Sequence, residues 1–251
     1  MGQVQPRWAI GNFILSPRIQ KEDVFEIYKG IKSELDRWNC QIIGGDISKS
    51  KEISLSLTLL GILKDKHPIT RTGFRIGDYL CVSGTLGDSL LGLKILNRIQ
   101  KNKTIRTKND SVIAYLVKRH LLPQLRFDGL KKYYKYVTSC TDLSDGLQKA
   151  LEIMTRTSSE VSVEIDVEKL PLSWQAREFC NCENIDSKKI ALEGGEDYEV
   201  LFTVSTRNLK RIKKESGISI IGKIVPRSGS KNILLQHSNI KGKLVGFEHL
   251  F

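Results

Sequence analysis

From Trp8 to Leu15 the chain is apolar enough to form a buried strand. From Lys21 to Trp38 the pattern changes, with apolar residues at Val24, Ile27, Tyr28, Ile31, Leu35 and Trp38. Steps of three and four put these on one face of a helix. Gln41 to Gly44 predicts a short strand ending in Gly-Gly-Asp, and the alternation of Ile53, Leu55, Leu57 and Leu59 predicts a strand to Leu63. The pattern breaks at His67-Pro68, which divides the chain into domains of 1–66 and 67–251.

The second stretch opens with a strand over Tyr79–Ser83, a turn at Gly84-Thr85-Leu86-Gly87 and a helix from Asp88 to about Ile99. Further helices are predicted over Ser111–His120, within Leu121–Tyr136, and over Leu147–Thr155, Trp174–Cys182 and Asn208–Glu215. Strands are predicted over Val137–Thr141, Val161–Val167, Tyr198–Val204 and Ile218–Val225. Strands and helices alternate in blocks with several non-parallel joins, which favours α+β layers over a doubly wound sheet. No internal repeat is visible.

Composition narrows the class. Of 251 residues, 40% are hydrophobic and 27% charged, enough for a real core and inconsistent with general disorder. The net charge of +12 favours anionic partners. Its lysines sit in short runs, at Lys101–Lys108 and Lys210–Lys214, without interleaved aromatics. They therefore read as a solvated surface, and a nucleic-acid platform is disfavoured. The five cysteines include a C-x-C pair, Cys180 and Cys182, but no C-x-x-C and no histidine at zinc spacing, so reduced thiols in the cytoplasm are expected. The longest apolar stretch is too short for a bilayer, and no secretory signal is visible, so no membrane partner is expected.

Four segments could carry chemistry. The first is Asp142-Leu143-Ser144-Asp145-Gly146, delivered by a strand and followed by a helix. Its two carboxylates could share a magnesium ion, which is content with one or two carboxylates, waters and substrate phosphates. From spacing alone, capping of the helix by Ser144 or Asp145 is the preferred reading. The second is Gly194-Gly195-Glu196-Asp197-Tyr198-Glu199, where a tight bend presents Glu196 and Asp197 at a strand's start. Alone, it reads as a turn with solvated acids. The third, Gly44-Gly45-Asp46, suits a metal ligand or a plain turn equally. The fourth, Ser83 to Ser89, has glycines between strand and helix, as a phosphate cradle does, but lacks both the Walker and the dinucleotide spacing. A structural turn is the preferred reading there. The histidines, His67, His120, His237 and His249, sit in no Ser or Cys motif and read as surface or core residues.

The order of these motifs says more than any one of them. Gly44-Gly45-Asp46, Arg71-Thr72-Gly73, the Ser83–Asp88 turn, Asp142–Leu147, Gly194–Glu199 and Gly246-Phe247-Glu248-His249 follow in succession. That series resembles the thiamine-monophosphate kinase family, of the superfamily that includes aminoimidazole-ribonucleotide synthetase and selenophosphate synthetase. The resemblance runs essentially from Met1 to Phe251. It implies a two-domain α+β fold like that of aminoimidazole-ribonucleotide synthetase, with a C-terminal α/β layered domain, usually as a homodimer. It implies Mg2+- and ATP-dependent phosphorylation of thiamine monophosphate to thiamine diphosphate. By matched position, Asp46, Asp142 and Asp145 would ligate magnesium. Tyr28, Gly45, Arg71 and Ser144 would contact the nucleotide, and Glu196 and Phe247 would hold the thiamine substrate. The family also carries an upstream Asp-Asp pair and a further Asp in a Val-Glu-Gly-Val-His stretch, which this chain does not contain. The resemblance therefore implies a truncated first domain, and the alternative to that activity is an inactive remnant that binds nucleotide or metal without turnover. Another ATP-using synthetase of the superfamily is the alternative activity.

Overall fold

The computed structural model describes residues 4–63, 68–125, 130–156, 158, 160–212, 217–227, 229 and 232–237. The chain forms two compact units, Met1–Pro68 and Ile69–Phe251.

In the first unit, β1 (Val4–Leu15) lies between β2 (Gln41–Lys49), to which it is parallel, and β3 (Ser54–Leu63), to which it is antiparallel. Parallel neighbours need a crossover, and α1 (Lys21–Arg37) provides it. Asp23 closes the start of α1 by accepting the Gln20 N–H at 3.4 Å. Ala9, Leu35 and Cys40 are buried together, with Ile31, Trp38 and Ile42 packed on them. The predicted short strand runs further than its hydrophobic residues suggest. It continues through Gly44-Gly45-Asp46 to Lys49, because β1 pairs with it in register there, Gly11 opposite Gly45 and Asn12 opposite Asp46. Asp46 is thus a mid-strand residue, not a strand-end one.

The second unit is built on a six-stranded sheet in the order β5-β7-β4-β8-β6-β9. Its strands are β4 (Tyr79–Ser83), β5 (Val137–Asp142), β6 (Val161–Asp166), β7 (Val200–Val204), β8 (Ile218–Pro226) and β9 (Ile233–Gln236). All neighbours are antiparallel except β6 and β9. Helix α4 (Leu147–Arg156) buries Leu147, Ala150, Leu151 and Met154 with the sheet residues Leu80, Val82, Val163, Ile165, Leu201, Ile221 and Ile224. A second core joins α2 (Asp88–Gln100), α3 (Asp110–Leu121) and α5 (Trp174–Glu183) through Leu91, Ile95, Val112, Leu116, Phe179 and Cys180.

Several local predictions shift for physical reasons. The strand predicted from Tyr198 begins at Val200, since Glu196 and Tyr198 hold positive φ, +60° and +52°, which extended backbone excludes. The strand predicted to Val167 stops at Asp166, whose carboxylate accepts the Glu168 N–H and opens a 3-10 turn. Within the predicted helical region Leu121–Tyr136, a 3-10 helix covers Lys131–Tyr136, Leu130 before it is α-helical, and 126–129 lie outside the described residues. A helix that the sequence pattern does not predict, α6 (Ser187–Glu193), is capped by Asp186, which accepts from the Lys188 and Lys189 N–H groups. Of the helix predicted over Asn208–Glu215, α7 covers Leu209–Ile212, and 213–216 are outside the described residues. β9 is four residues long, too short to show a period.

Candidate active site

The acidic turn grows out of the sheet. β5 pairs with β7 to its last residue, Asp142 opposite Val200. The pairing then continues beyond both strands. The Leu143 N–H donates to Glu199 O at 2.9 Å, the Tyr198 N–H to Leu143 O at 3.3 Å, and the Glu196 N–H to Ser144 O at 2.6 Å. Leu143 and Leu147 are both buried, which anchors the turn at each end and leaves Asp142 exposed and Ser144 and Asp145 half-buried between them. Gly146 turns the chain with φ of +87° and supplies the carbonyl that opens α4, bonded by the Ala150 N–H at 3.1 Å. The cap position of α4 therefore falls on Gly146, and neither Ser144 nor Asp145 occupies it. A side chain at Gly146 would run into the Gly194 backbone. The two motifs most specific to the family are thus a single structure, zipped together by main-chain bonds.

The acids of the Gly194–Glu199 segment are not solvated, as the isolated motif suggested. Asp197 is buried, and its carboxylate accepts the Gly87 N–H at 2.6 Å and the Ser89 N–H at 3.1 Å. Burial pushes its pKa up to about 7, with the nearby Asp88 adding to the rise and the two N–H bonds and Arg119 opposing it. Glu199 is also buried. It accepts from Ser83 Oγ at 2.6 Å and from Arg119 Nη2 at 3.1 Å. Arg119 Nε lies 3.6 Å from Asp88, which in turn accepts from Ser173 Oγ at 2.5 Å and Thr85 Oγ1 at 2.6 Å. A buried charge needs such partners to persist. Of the motif's three acids, Glu196 alone keeps substantial exposure, 29% of its side chain, and it pairs with His120 Nδ1 at 3.4 Å.

This arrangement also decides the role of the Ser83–Ser89 turn. Its amides at Gly87 and Ser89 bind the Asp197 carboxylate, and its Ser83 hydroxyl binds Glu199. The cradle is filled by a carboxyl group of the protein itself, so the turn is structural.

Asp142, Ser144, Asp145 and Glu196 are therefore brought to one place. Tyr198 marks its centre: burial first, then the carboxylates of Glu196, Asp142 and Asp145, push its phenol above the ordinary value. Arg71 is exposed on a segment laid along β5, where Thr70 O accepts the Cys140 N–H at 3.0 Å. Asp46, Gly45 and Tyr28 belong to the first unit. There Asp46 accepts from Ser48 Oγ at 2.7 Å, Gly45 faces Gly11, and Tyr28 is exposed on α1. Phe247 lies outside the described residues. Among the described residues no three His, Cys, Asp or Glu side chains form a ready metal cage. A pair such as Asp142 and Asp145 suits magnesium, which takes its remaining oxygens from water and phosphate. Sequence reasoning missed Tyr198, Arg119 and His120. A signal existed only for the adjacent Arg119-His120, which with Lys118 make a basic last turn on α3.

The layered α+β architecture with its zipped acidic turn defines the class, a fold like that of aminoimidazole-ribonucleotide synthetase. Residues 1–63 match the family described as AIR synthase related protein, N-terminal domain. Escherichia coli HypE, a hydrogenase maturation protein, shares the fold with a TM-score of 0.72 at 16% identity. That structure covers 99% of this chain and 76% of its own. Thiamine-monophosphate kinase of Aquifex aeolicus is 34% identical over 236 residues, which are 90% of this chain and 74% of that protein. A solved structure, AaThiL complexed with AMPPCP and TMP, superposes with a TM-score of 0.82 at 30% identity, over 99% of this chain and 75% of its own. The chain belongs to the thiamine-monophosphate kinase family.

Proposed function

We propose that this chain transfers the γ-phosphoryl group of ATP to the phosphate of thiamine monophosphate, releasing ADP and thiamine diphosphate. The observation that carries the reading is the junction of the acidic turn with the Glu196 segment, which sets candidate metal ligands beside a candidate substrate carboxylate. A phosphate oxygen of thiamine monophosphate attacks the γ-phosphorus in line, and the bond to the β-bridging oxygen breaks. Repulsion between the two phosphates is the obstacle, so catalysis is positioning and charge neutralisation. When bound, magnesium supplies that neutralisation. Asp142 and Asp145, with Asp46, would hold it. Ser144, Gly45, Arg71 and Tyr28 would contact the nucleotide. Glu196 and Phe247 would hold the thiamine moiety, which carries a cationic ring.

The exposed leucines and isoleucines of β3, among them Leu55, Leu57, Leu59 and Ile62, support a homodimer formed through the first unit. A cytoplasmic location is supported by five free cysteines. Among the described residues no helix is long and apolar enough to cross a membrane.

The test is formation of thiamine diphosphate from ATP and thiamine monophosphate, followed by thiochrome fluorescence after chromatography. The parent chain is expected to form product only with magnesium, and Asp142→Asn to lower the rate by about 100-fold or more, in line with the loss of one electrostatic contact to the transition state. Binding of Mg-ATP with no product from the parent would replace this reading with that of a nucleotide-binding protein without turnover.

A further inference from the structure

Glu196 is held in an unusual way. Its φ of +60° is left-handed, and so is that of Tyr198, at +52°. Two such non-glycine residues around one buried acid persist only when the surroundings over-determine them. Here the Glu196 N–H is fixed to Ser144 O, and the next side chain, Asp197, is clamped by the Gly87 and Ser89 amides at the start of α2. The backbone of Glu196 is therefore set from both sides. Its carboxylate still has free torsions along the side chain, and something must aim it.

That partner comes from α3. Arg119 and His120 are neighbours near its end, and they diverge. Arg119 turns inward to Glu199 and Asp88, which pins this end of the helix. The close crossing of α2 and α3 fixes the His120 Cβ, since a side chain at Gly92 would collide with it and with the Leu116 carbonyl. The imidazole then sits with Nδ1 at 3.0 Å from Ser89 Oγ and 3.4 Å from Glu196 Oε2, its side chain 15% exposed. A bare Nδ1 lone pair would face a carboxylate oxygen at that distance and repel it. In the tautomer with its proton on Nδ1, the imidazole presents that proton to the Ser89 hydroxyl and the Glu196 carboxylate together.

We propose that His120 is a positioning residue of the substrate site, whose Nδ1–H aims the Glu196 carboxylate at the thiamine moiety. This rests on the reading of Glu196 as the residue that holds thiamine. His120 needs no contact with the substrate, and the imidazole acts through Glu196.

The test is calorimetric titration of thiamine monophosphate into the full chain and its variants His120→Phe, His120→Asn, Glu196→Gln and the double variant His120→Phe/Glu196→Gln. Mg-ATP binding and melting temperature are followed in parallel. His120→Phe is expected to weaken thiamine monophosphate binding about tenfold, the effect of losing one polar contact to a charged group. His120→Asn is expected to bind within about twofold of the parent, because its amide N–H takes the place of Nδ1–H. In the Glu196→Gln background, His120→Phe is expected to add less than about twofold. Mg-ATP affinity is expected to stay constant throughout. The proposal is overturned if His120→Phe binds like the parent, if His120→Asn is as weak as His120→Phe, or if the tenfold loss persists in the Glu196→Gln background. A Glu196→Gln variant that binds thiamine monophosphate normally, or a parent that binds none, overturns the reading of Glu196 itself and this proposal with it.

Discussion

Replacing Gly146 with alanine tests whether the acidic turn is held against the Gly194 segment. Gly146 has φ of +87° and Gly217 has +86°, so a Gly→Ala change imposes nearly the same left-handed penalty at both. That penalty is about 1–2 kcal/mol. The surroundings differ. A Cβ at Gly217 would meet nothing within 4 Å. At Gly146 it would stand 3.0 Å from the Gly194 carbonyl carbon and 3.4 Å from the Gly195 nitrogen, and closer still to the Gly194 oxygen. All of these are backbone atoms, so no side chain can rotate away and the two segments must part. Overpacking of this kind costs a further ~1–3 kcal/mol. For a unit of this size, each kcal/mol moves the melting temperature by about 2–4 °C. Gly217→Ala is therefore expected to melt about 2–8 °C below the parent, and Gly146→Ala a further ~2–12 °C lower. The assay is thermal unfolding by circular dichroism, with thiamine monophosphate titrated into each variant at a temperature where it is folded. Parting the segments moves Glu196, so Gly146→Ala should also bind the substrate more weakly, while Gly217→Ala should bind it as the parent does. Equal melting temperatures for the two variants would refute the argument, because they would show that the turn and the Gly194 segment are not in contact.

Two further outcomes follow from the buried acids. Arg119→Met removes the guanidinium that faces Glu199 and Asp88 and should destabilise the second unit by about 3–5 kcal/mol in urea unfolding; a loss below about 1 kcal/mol would contradict the buried network. Asp197 has its folded pKa raised to about 7 from 3.8, so its contribution to stability is fully present below about pH 4 and has been lost once pH rises through about 7. Between those limits the folded chain keeps a proton that the unfolded chain releases, and stability falls by on the order of 1.4 kcal/mol per pH unit. The parent should accordingly lose stability relative to Asp197→Asn between pH 4 and pH 7, and parallel stability curves for the two proteins would show that burial does not hold this proton.

The local elements were legible because their signals are local. The 3.6-residue period of α1 and the alternation of β3 can be read within one window of sequence, and both stand as expected within a residue or two. The extension of β2 through Gly44-Gly45-Asp46 was not legible, since it depends on pairing with Gly11 and Asn12 of β1. The acidic turn could be located but not interpreted, because capping and metal binding use the same residues. The choice between them rests on where Gly146 and the Gly194 segment fall. Within Glu196-Asp197-Tyr198-Glu199 nothing in the composition separates the exposed acid from the two buried ones. Their partners lie far off in the chain: Gly87 is 110 residues from Asp197, Ser83 is 116 from Glu199, and Arg119 is 80 from Glu199.

The division of labour among these acids has an electrostatic logic. On the proposed reaction, two phosphates must approach, and any uncompensated negative charge nearby opposes them. Asp142 is exposed and Asp145 half-buried at the tip of the turn, where a divalent cation can sit on them and reverse their effect. Asp197, Glu199 and Asp88 lie beneath, where no cation from solvent can reach. Each is compensated from within instead: Asp197 by two amides and a proton held near neutral pH, Glu199 by Arg119 and Ser83, and Asp88 by Arg119, Ser173 and Thr85. Glu196 stands between the two groups. Its backbone is tied to the turn and its carboxylate lies beside His120, so on the proposed reading its charge is available to a cationic ring while its position is set by the buried layer. On the proposed reaction the buried acids thus serve the site through geometry, and the exposed acids serve it through charge.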